Sequence, residues 1–255
     1  MSFAEEALTR DAFLGGRIRL WQPKAGYRAA IDPVLLAAFA PAVPGERALD
    51  LGCGAGTAAL CLGARAPGLE LHGLELQPAY ADLARRNAAE TGIGLTVHEG
   101  DLRRPPAALR ALSFDLVLTN PPYHPESAPG AADSGRDVAH REGAAGLADW
   151  IDAGLRRLRP GGRIVLVHLA ERLPDVLAAL HNRAGAVEIL PVGPWENKPA
   201  RRILVRARKG SRAALRLWPV LTLHEGKTDV RDRVGYAERA ERVLKRGEAL
   251  LPDTR

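Results

Sequence analysis

An apolar run that ends in three alternating glycines constrains this chain more than any other feature. Ala48-Leu49-Asp50-Leu51 leads into Gly52-Cys53-Gly54-Ala55-Gly56-Thr57 and then into a helical stretch. A short apolar run closed by glycines and followed by a helix reads as a strand–loop–helix unit of a parallel α/β sheet. Glycine at such a turn reaches positive φ and lets the backbone approach a ligand, because no Cβ intervenes. Open α/β sheets hold ligands at the ends of such strands. For a glycine loop standing alone, a plain βα turn is the alternative. The spacing departs from the dinucleotide fingerprint G-x-G-x-x-G: the third glycine comes one residue early, and Thr57 stands where that fingerprint has glycine. Asp50 would repel a pyrophosphate, but it can organise a loop around a cationic amino-acid headgroup.

The strand–helix pattern continues along the chain. Apolar runs at 47–52, 69–75, 95–99, 114–119 and 163–168 alternate with amphipathic stretches. Two later runs, 187–192 and 202–207, flank the turn-rich segment Gly193-Pro194-Trp195-Glu196-Asn197-Lys198-Pro199 and read as an antiparallel hairpin. Asp32 as N-cap and Pro33 at the first helical position open one helix. Pro78 opens another, which Gly92 ends. A third, 147–158, stops at Pro160-Gly161-Gly162, and a last one spans 236–246. Residues 124–135 lack apolar periodicity and read as a loop. The expected fold is α/β and Rossmann-like: a seven-stranded, mostly parallel sheet with a C-terminal antiparallel hairpin and helices on both faces. An extension, 1–44, precedes a single domain, 45–255.

Composition excludes several classes. Of 255 residues, 46% are apolar and 26% charged, which suits a globular core. Cys53 and Cys61 form neither a zinc cluster nor a disulfide framework, so no metal is expected and a reducing, cytoplasmic compartment fits. The acidic N-terminus is not a signal peptide, and no run approaches ~18 apolar residues, so no membrane span is expected. The formal net charge of +6 favours a polyanionic partner.

Asn120-Pro121-Pro122-Tyr123 directly follows the apolar run ending at Thr119. Two prolines remove two backbone donors, so nearby carbonyls project without local partners. The Asn120 side-chain oxygen and the Pro121 carbonyl can both accept from an NH2 group, and Tyr123 can stack on a planar ring. An exocyclic amine on an aromatic ring is a poor nucleophile because its lone pair is delocalised. Two acceptors pulling on its protons favour a pyramidal nitrogen. Against an already activated electrophile, positioning and electrostatics then carry the rate. No nucleophile triad accompanies the motif.

Together, Asp50–Gly56 and Asn120–Tyr123 resemble class I S-adenosylmethionine-dependent methyltransferases of the N/D-P-P-Y/F type. The resemblance implies S-adenosyl-L-methionine as cofactor and S-adenosyl-L-homocysteine as product. It lays Asp50, Gly52, Gly54 and Gly56 against the amino-acid part of the cofactor. Glu75 is assigned to the ribose hydroxyls and Asp101 to the adenine amino group, with Leu76 and Leu102 as apolar walls. Asn120, Pro121, Pro122 and Tyr123 become the catalytic motif, Asn120 also touching cofactor.

The segment Gly26-Tyr27-Arg28-Ala29-Ala30-Ile31-Asp32-Pro33-Val34-Leu35-Leu36-Ala37 looks like the opening of bacterial tRNA1(Val) adenine N6-methyltransferases. There it caps the cofactor pocket, making Tyr27 and Asp32 candidate cofactor contacts; for Asp32, a plain helix cap is the alternative. His140-Arg141-Glu142 matches the same group loosely. On one face of 202–208 alternation places Arg202, Leu204, Arg206 and Arg208, so these arginines with Lys198, Arg201 and Lys209 are candidate contacts for RNA phosphates. A charged, solvated edge strand is the alternative. The implied reaction is N6-adenine methylation of RNA, tRNA near the anticodon. N5-glutamine or small-molecule amine methylation stays open, as does a non-catalytic binding module, because the tetrapeptide alone does not separate these acceptors.

Overall fold

The computed structural model describes residues 2–123, 145–225 and 235–250. It opens with an antiparallel pair, β1 (Leu8–Phe13) and β2 (Ile18–Pro23), followed by α1 (Asp32–Phe39). Next come β3 (Arg47–Leu51), α2 (Thr57–Arg65), β4 (Glu70–Glu75), α3 (Pro78–Thr91), β5 (Thr96–Glu99), α4 (Ala107–Arg110) and β6 (Phe114–Thr119). The remaining elements are α5 (Leu147–Arg157), β7 (Leu158–Leu169), α6 (Leu173–Leu180), β8 (Ala184–Gly193), β9 (Arg202–Lys209), β10 (Arg216–Leu217), β11 (Leu221–Thr222) and α7 (Glu238–Arg246).

The main sheet runs β5-β4-β3-β6-β7-β9-β8-β10, with β11 also on β8. Strands β3 to β7 are parallel neighbours, and β9 is antiparallel to both β7 and β8. Strand order therefore turns back at β3, with β4 on one side of it and β6 on the other. A crevice forms there at the carboxyl edge of the sheet, where α/β folds bind ligands.

Both faces of the sheet are covered, so its strands are apolar on both sides. Leu116, Leu118, Val165, Val167 and Leu204 join α1, α2 and α7 in one core. Val117, Ile164, Leu166, Ile203 and Val205 join α5 and α6 in the other. Helix α3 shows the amphipathic rule: Pro78 begins it, Tyr80, Leu83, Ala84, Asn87 and Ala88 form its buried stripe, and Gly92 at φ 68° ends it.

Three sequence expectations change. The expected seven strands are present, but among the described residues β10 and β11 extend the sheet to nine strands. Strand β9 is interior, so its charged residues do not protect an edge. Helix α1 begins at Asp32 with Ile31 in the cap position, and the Asp32 side chain makes no capping bond. Residues 124–135 and His140-Arg141-Glu142 lie outside the described residues.

Candidate active site

The loop after β3 turns sharply under the end of β4. Gly52 and Cys53 both donate their backbone N–H groups to the Leu74 carbonyl, at 2.8 and 3.0 Å. Gly52 sits at φ 75°, and a Cβ there would come within 2.4 Å of the Trp150 indole. Glycine at this position is thus fixed by backbone and packing together. Asn87 of α3 donates to the Ala55 carbonyl at 2.9 Å and exchanges two bonds with the Trp21 backbone. One buried amide thereby ties the glycine loop to the N-terminal hairpin.

Two buried carboxylates flank the loop. Asp50, 3% exposed, accepts the Ala59 N–H at 3.0 Å from the first turn of α2. Burial pushes its carboxyl up to about 7; the Ala59 bond opposes this and the Glu75 charge adds to it. Glu75, 7% exposed, accepts the Gly54 N–H at 2.9 Å through one oxygen and the Gln77 N–H at 2.8 Å through the other. Burial raises its carboxyl and the backbone donors hold it down. Negative charge beside a glycine loop suits a cationic ligand.

An open cleft lies here, lined among others by Gln22, Tyr27, Asp50, Gly52 and Asn120. Thr119, fully buried, donates to the Leu51 carbonyl at 3.0 Å and fixes the end of β6 beside that of β3. Asn120 then enters the cleft. Its Nδ2 donates to the Tyr27 hydroxyl at 3.1 Å, whereas its buried Oδ1 has no hydrogen-bond partner. A buried orphan acceptor is costly, and a ligand N–H satisfies it.

The rest of the tetrapeptide is held from three sides. The Tyr123 hydroxyl donates to Asp32 at 2.8 Å, and Arg202 of β9 pairs with the other Asp32 oxygen at 2.6 Å. Burial, then the Asp32 charge, holds the Tyr123 phenol well above its ordinary range, so it is neutral and donates. His168, fully buried at the end of β7, lies 3.2 Å from the Pro122 carbonyl and edge-on to the Tyr123 ring. A carbonyl only accepts, so Nε2 of His168 carries the proton in this contact.

The other sequence-predicted positions divide. Leu76, 64% exposed, and half-buried Leu102 follow β4 and β5. Asp101 is ion-paired with Arg103 at 2.7 Å. Lys198, Arg201 and Arg208 are exposed, although Arg208 also bonds the Gly161 carbonyl. Lys209 is partly buried and donates to the Leu158 carbonyl. The expected basic face of β9 is corrected. Leu204 is fully buried, and Arg206, 5% exposed, lies over the Phe39 ring and pairs with Glu188 at 2.9 Å. Strand β9 has sheet on both sides and α1 above it, so that face points into protein. Sequence reasoning missed His168, Trp150 and Asn87, because each acts through tertiary contacts that leave no local pattern.

The family model for the methyltransferase small domain matches residues 31–190. The chain belongs to the methyltransferase small domain family. Relatives named tRNA1(Val) (adenine(37)-N6)-methyltransferase extend the match. One from Porphyromonas gingivalis is 31% identical over 214 residues, covering 80% of this chain and 83% of its own. Another, from Aeromonas hydrophila, is 31% identical over 187 residues, covering 70% and 75%. Among solved structures, a predicted O-methyltransferase from Agrobacterium tumefaciens matches with a TM-score of 0.66 and 28% identity, covering 83% of this chain and 94% of its own. A 16S rRNA N2 methyltransferase from T. Thermophilus, in complex with AdoMet and guanosine, shares the fold at a TM-score of 0.53 and 23% identity, covering 79% and 50%. The protein is thus a methyltransferase, with the seven expected strands in its sheet. Among the described residues no cluster of three or more His, Cys, Asp or Glu suits a metal, and no helix is long and apolar enough to cross a membrane.

Proposed function

We propose that the protein methylates N6 of an adenine in tRNA near the anticodon, using S-adenosyl-L-methionine. The observation that carries the chemistry is the buried, unpartnered Oδ1 of Asn120, set across the cleft from a glycine loop between two buried carboxylates. The relatives named for this tRNA reaction support the choice of acceptor.

In this reading the residues fit the methyl donor. Asp50 and the loop of Gly52, Gly54 and Gly56 receive its cationic amino-acid part. Glu75 keeps lone pairs for the ribose hydroxyls, and Leu76 and Leu102 flank the adenine. Asp101 reaches the adenine amino group once it shares its Arg103 contact. Residues 1–44 cap the pocket, with Tyr27 over Gly54. Bound there, the donor supplies an electrophilic sulfonium methyl.

The acceptor side belongs to the tetrapeptide. Asn120 Oδ1 and the Pro121 carbonyl accept the amine protons and direct its lone pair at the methyl carbon. The N–C bond forms as the C–S bond breaks, S-adenosyl-L-homocysteine leaves, and the surplus amine proton passes to solvent. Tyr123 stacks on the base. Exposed Lys198, Arg201 and Arg208 contact phosphates.

Mass spectrometry of nucleosides from unmodified tRNA incubated with enzyme and labelled donor tests this reading. N6-methyladenosine carrying the label is the expected result. Label in a protein glutamine or a small amine, with none in RNA, would replace it.

A further inference from the structure

The two sequence-predicted residues of the N-terminal segment do not reach the tetrapeptide in the same way. Tyr27 meets its first residue: the hydroxyl lies 3.1 Å from Asn120 Nδ2. Asp32 meets its last: the carboxylate takes the Tyr123 hydroxyl at 2.8 Å. The two sites lie on one short stretch of chain, anchored at both ends. Tyr80 of α3 donates to the Tyr27 carbonyl at 3.1 Å, and Asp32 itself begins the wholly buried helix α1.

An asparagine amide has two nearly isosteric orientations, and only its surroundings choose between them. If Nδ2 faced the acceptor amine, a donor would meet a donor and the reaction would lose its acceptor. In the structure the Tyr27 hydroxyl oxygen accepts from Nδ2, which leaves Oδ1 without a partner and available to an N–H of the acceptor. At the other end, a tyrosine ring free about its side-chain torsions is a poor stacking platform. Tying its hydroxyl to a carboxylate fixes the ring, and Arg202 at 2.6 Å neutralises the carboxylate, whose residue is only 8% exposed.

We propose that Tyr27, Asp32 and Arg202 form a two-point brace on the acceptor motif. Tyr27 sets the amide orientation of Asn120, and the Arg202–Asp32 pair anchors the ring of Tyr123. The three are positioning residues, acting through the tetrapeptide. The role in turnover rests on the methyltransferase reading above and moves Asp32 and Arg202 away from cofactor and phosphate contact.

Double-mutant cycles on the full chain test it. Tyr27→Phe removes one oxygen and keeps the ring. It is expected to lower kcat about tenfold, with KM for tRNA and affinity for S-adenosyl-L-homocysteine within about threefold of wild type. In an Asn120→Ala background the same change is expected to alter kcat by less than about twofold, because its effect has lost its mediator. Asp32→Asn is expected to couple in the same way with Tyr123→Phe. Additive effects overturn the brace. So does weakened binding of S-adenosyl-L-homocysteine at unchanged kcat, which would make Tyr27 a cofactor contact.

A second arm needs no acceptor. In 15N-labelled protein bound to S-adenosyl-L-homocysteine, the Asn120 side-chain amide signals are identified by their loss in Asn120→Ala. They are expected to move in Tyr27→Phe, and unmoved signals overturn the brace. If wild type methylates no RNA while these signals respond, the RNA reading falls and the brace stands.

Discussion

In the proposed reaction, Asn120 and Asp50 carry the site's chemistry at the scale of single side chains. Asn120→Ala removes one acceptor that matters most at the transition state. Turnover should fall by ~10²–10³-fold while affinity for S-adenosyl-L-homocysteine stays close to wild type; steady-state rates with parallel calorimetry check this. Asp50 makes a pH prediction. Its carboxyl lies at about 7 in the folded protein, above its ordinary value of 3.8. Between these values the folded chain keeps a proton that the unfolded chain releases, so this group's contribution to stability declines as pH rises from about 4 to about 7. Asp50→Asn keeps an acceptor for the Ala59 N–H and abolishes that decline. Its melting temperature should exceed wild type at pH 8 in the absence of ligand, by more than at pH 4, and its affinity for the cationic methyl donor should be lower at pH 8. Equal melting shifts at both pH values would contradict the assignment.

Elements show where sequence was legible and where it was not. Local signals survived well: Pro78 and Gly92 bound α3, and the glycines and Asn120-Pro121-Pro122-Tyr123 stand at neighbouring strand ends. Those features depend on backbone chemistry within a few residues. The errors arose where distant packing decides. Alternation correctly put Arg202, Leu204 and Arg206 on one face of β9, but it does not say what covers that face. Phe39 of α1 and Glu188 of β8 do, and they turn an expected phosphate contact into an internal ion pair. Asp32, followed by Pro33, reads in sequence as a helix cap, yet Ile31 holds the cap position and a tyrosine 91 residues away takes the Asp32 carboxylate. Two-residue strands such as β10 are too short for any periodicity. The buried pair gives a direct test. Glu188→Ala removes the carboxylate paired with the buried Arg206 and also the acceptor of the Trp218 indole N–H. It should destabilise the fold by about 3–5 kcal/mol, read as a lower urea midpoint at an unchanged slope.

Over the whole molecule, the sheet gathers into one crevice residues that are far apart in sequence. Tyr27, Asp50, Glu75 and Asn120 come from four separate segments, and all reach the carboxyl edge where strand order turns back at β3. Under the proposed function, the net charge of +6 attracts RNA over long range, with Lys198 and Arg201 among its exposed members. Arg201→Ala should raise KM for tRNA and reduce the slope of log affinity against log salt by about 0.7–0.9, leaving affinity for S-adenosyl-L-homocysteine unchanged. Unaltered salt dependence would remove Arg201 from the RNA surface. Every step above requires that the folded protein hold the methyl donor at the glycine loop. Isothermal titration of well-folded protein with S-adenosyl-L-homocysteine measures this most directly. Saturable one-site binding, weakened by Asp50→Asn, is the predicted result, and the absence of heat and of any thermal stabilisation at millimolar ligand would contradict it.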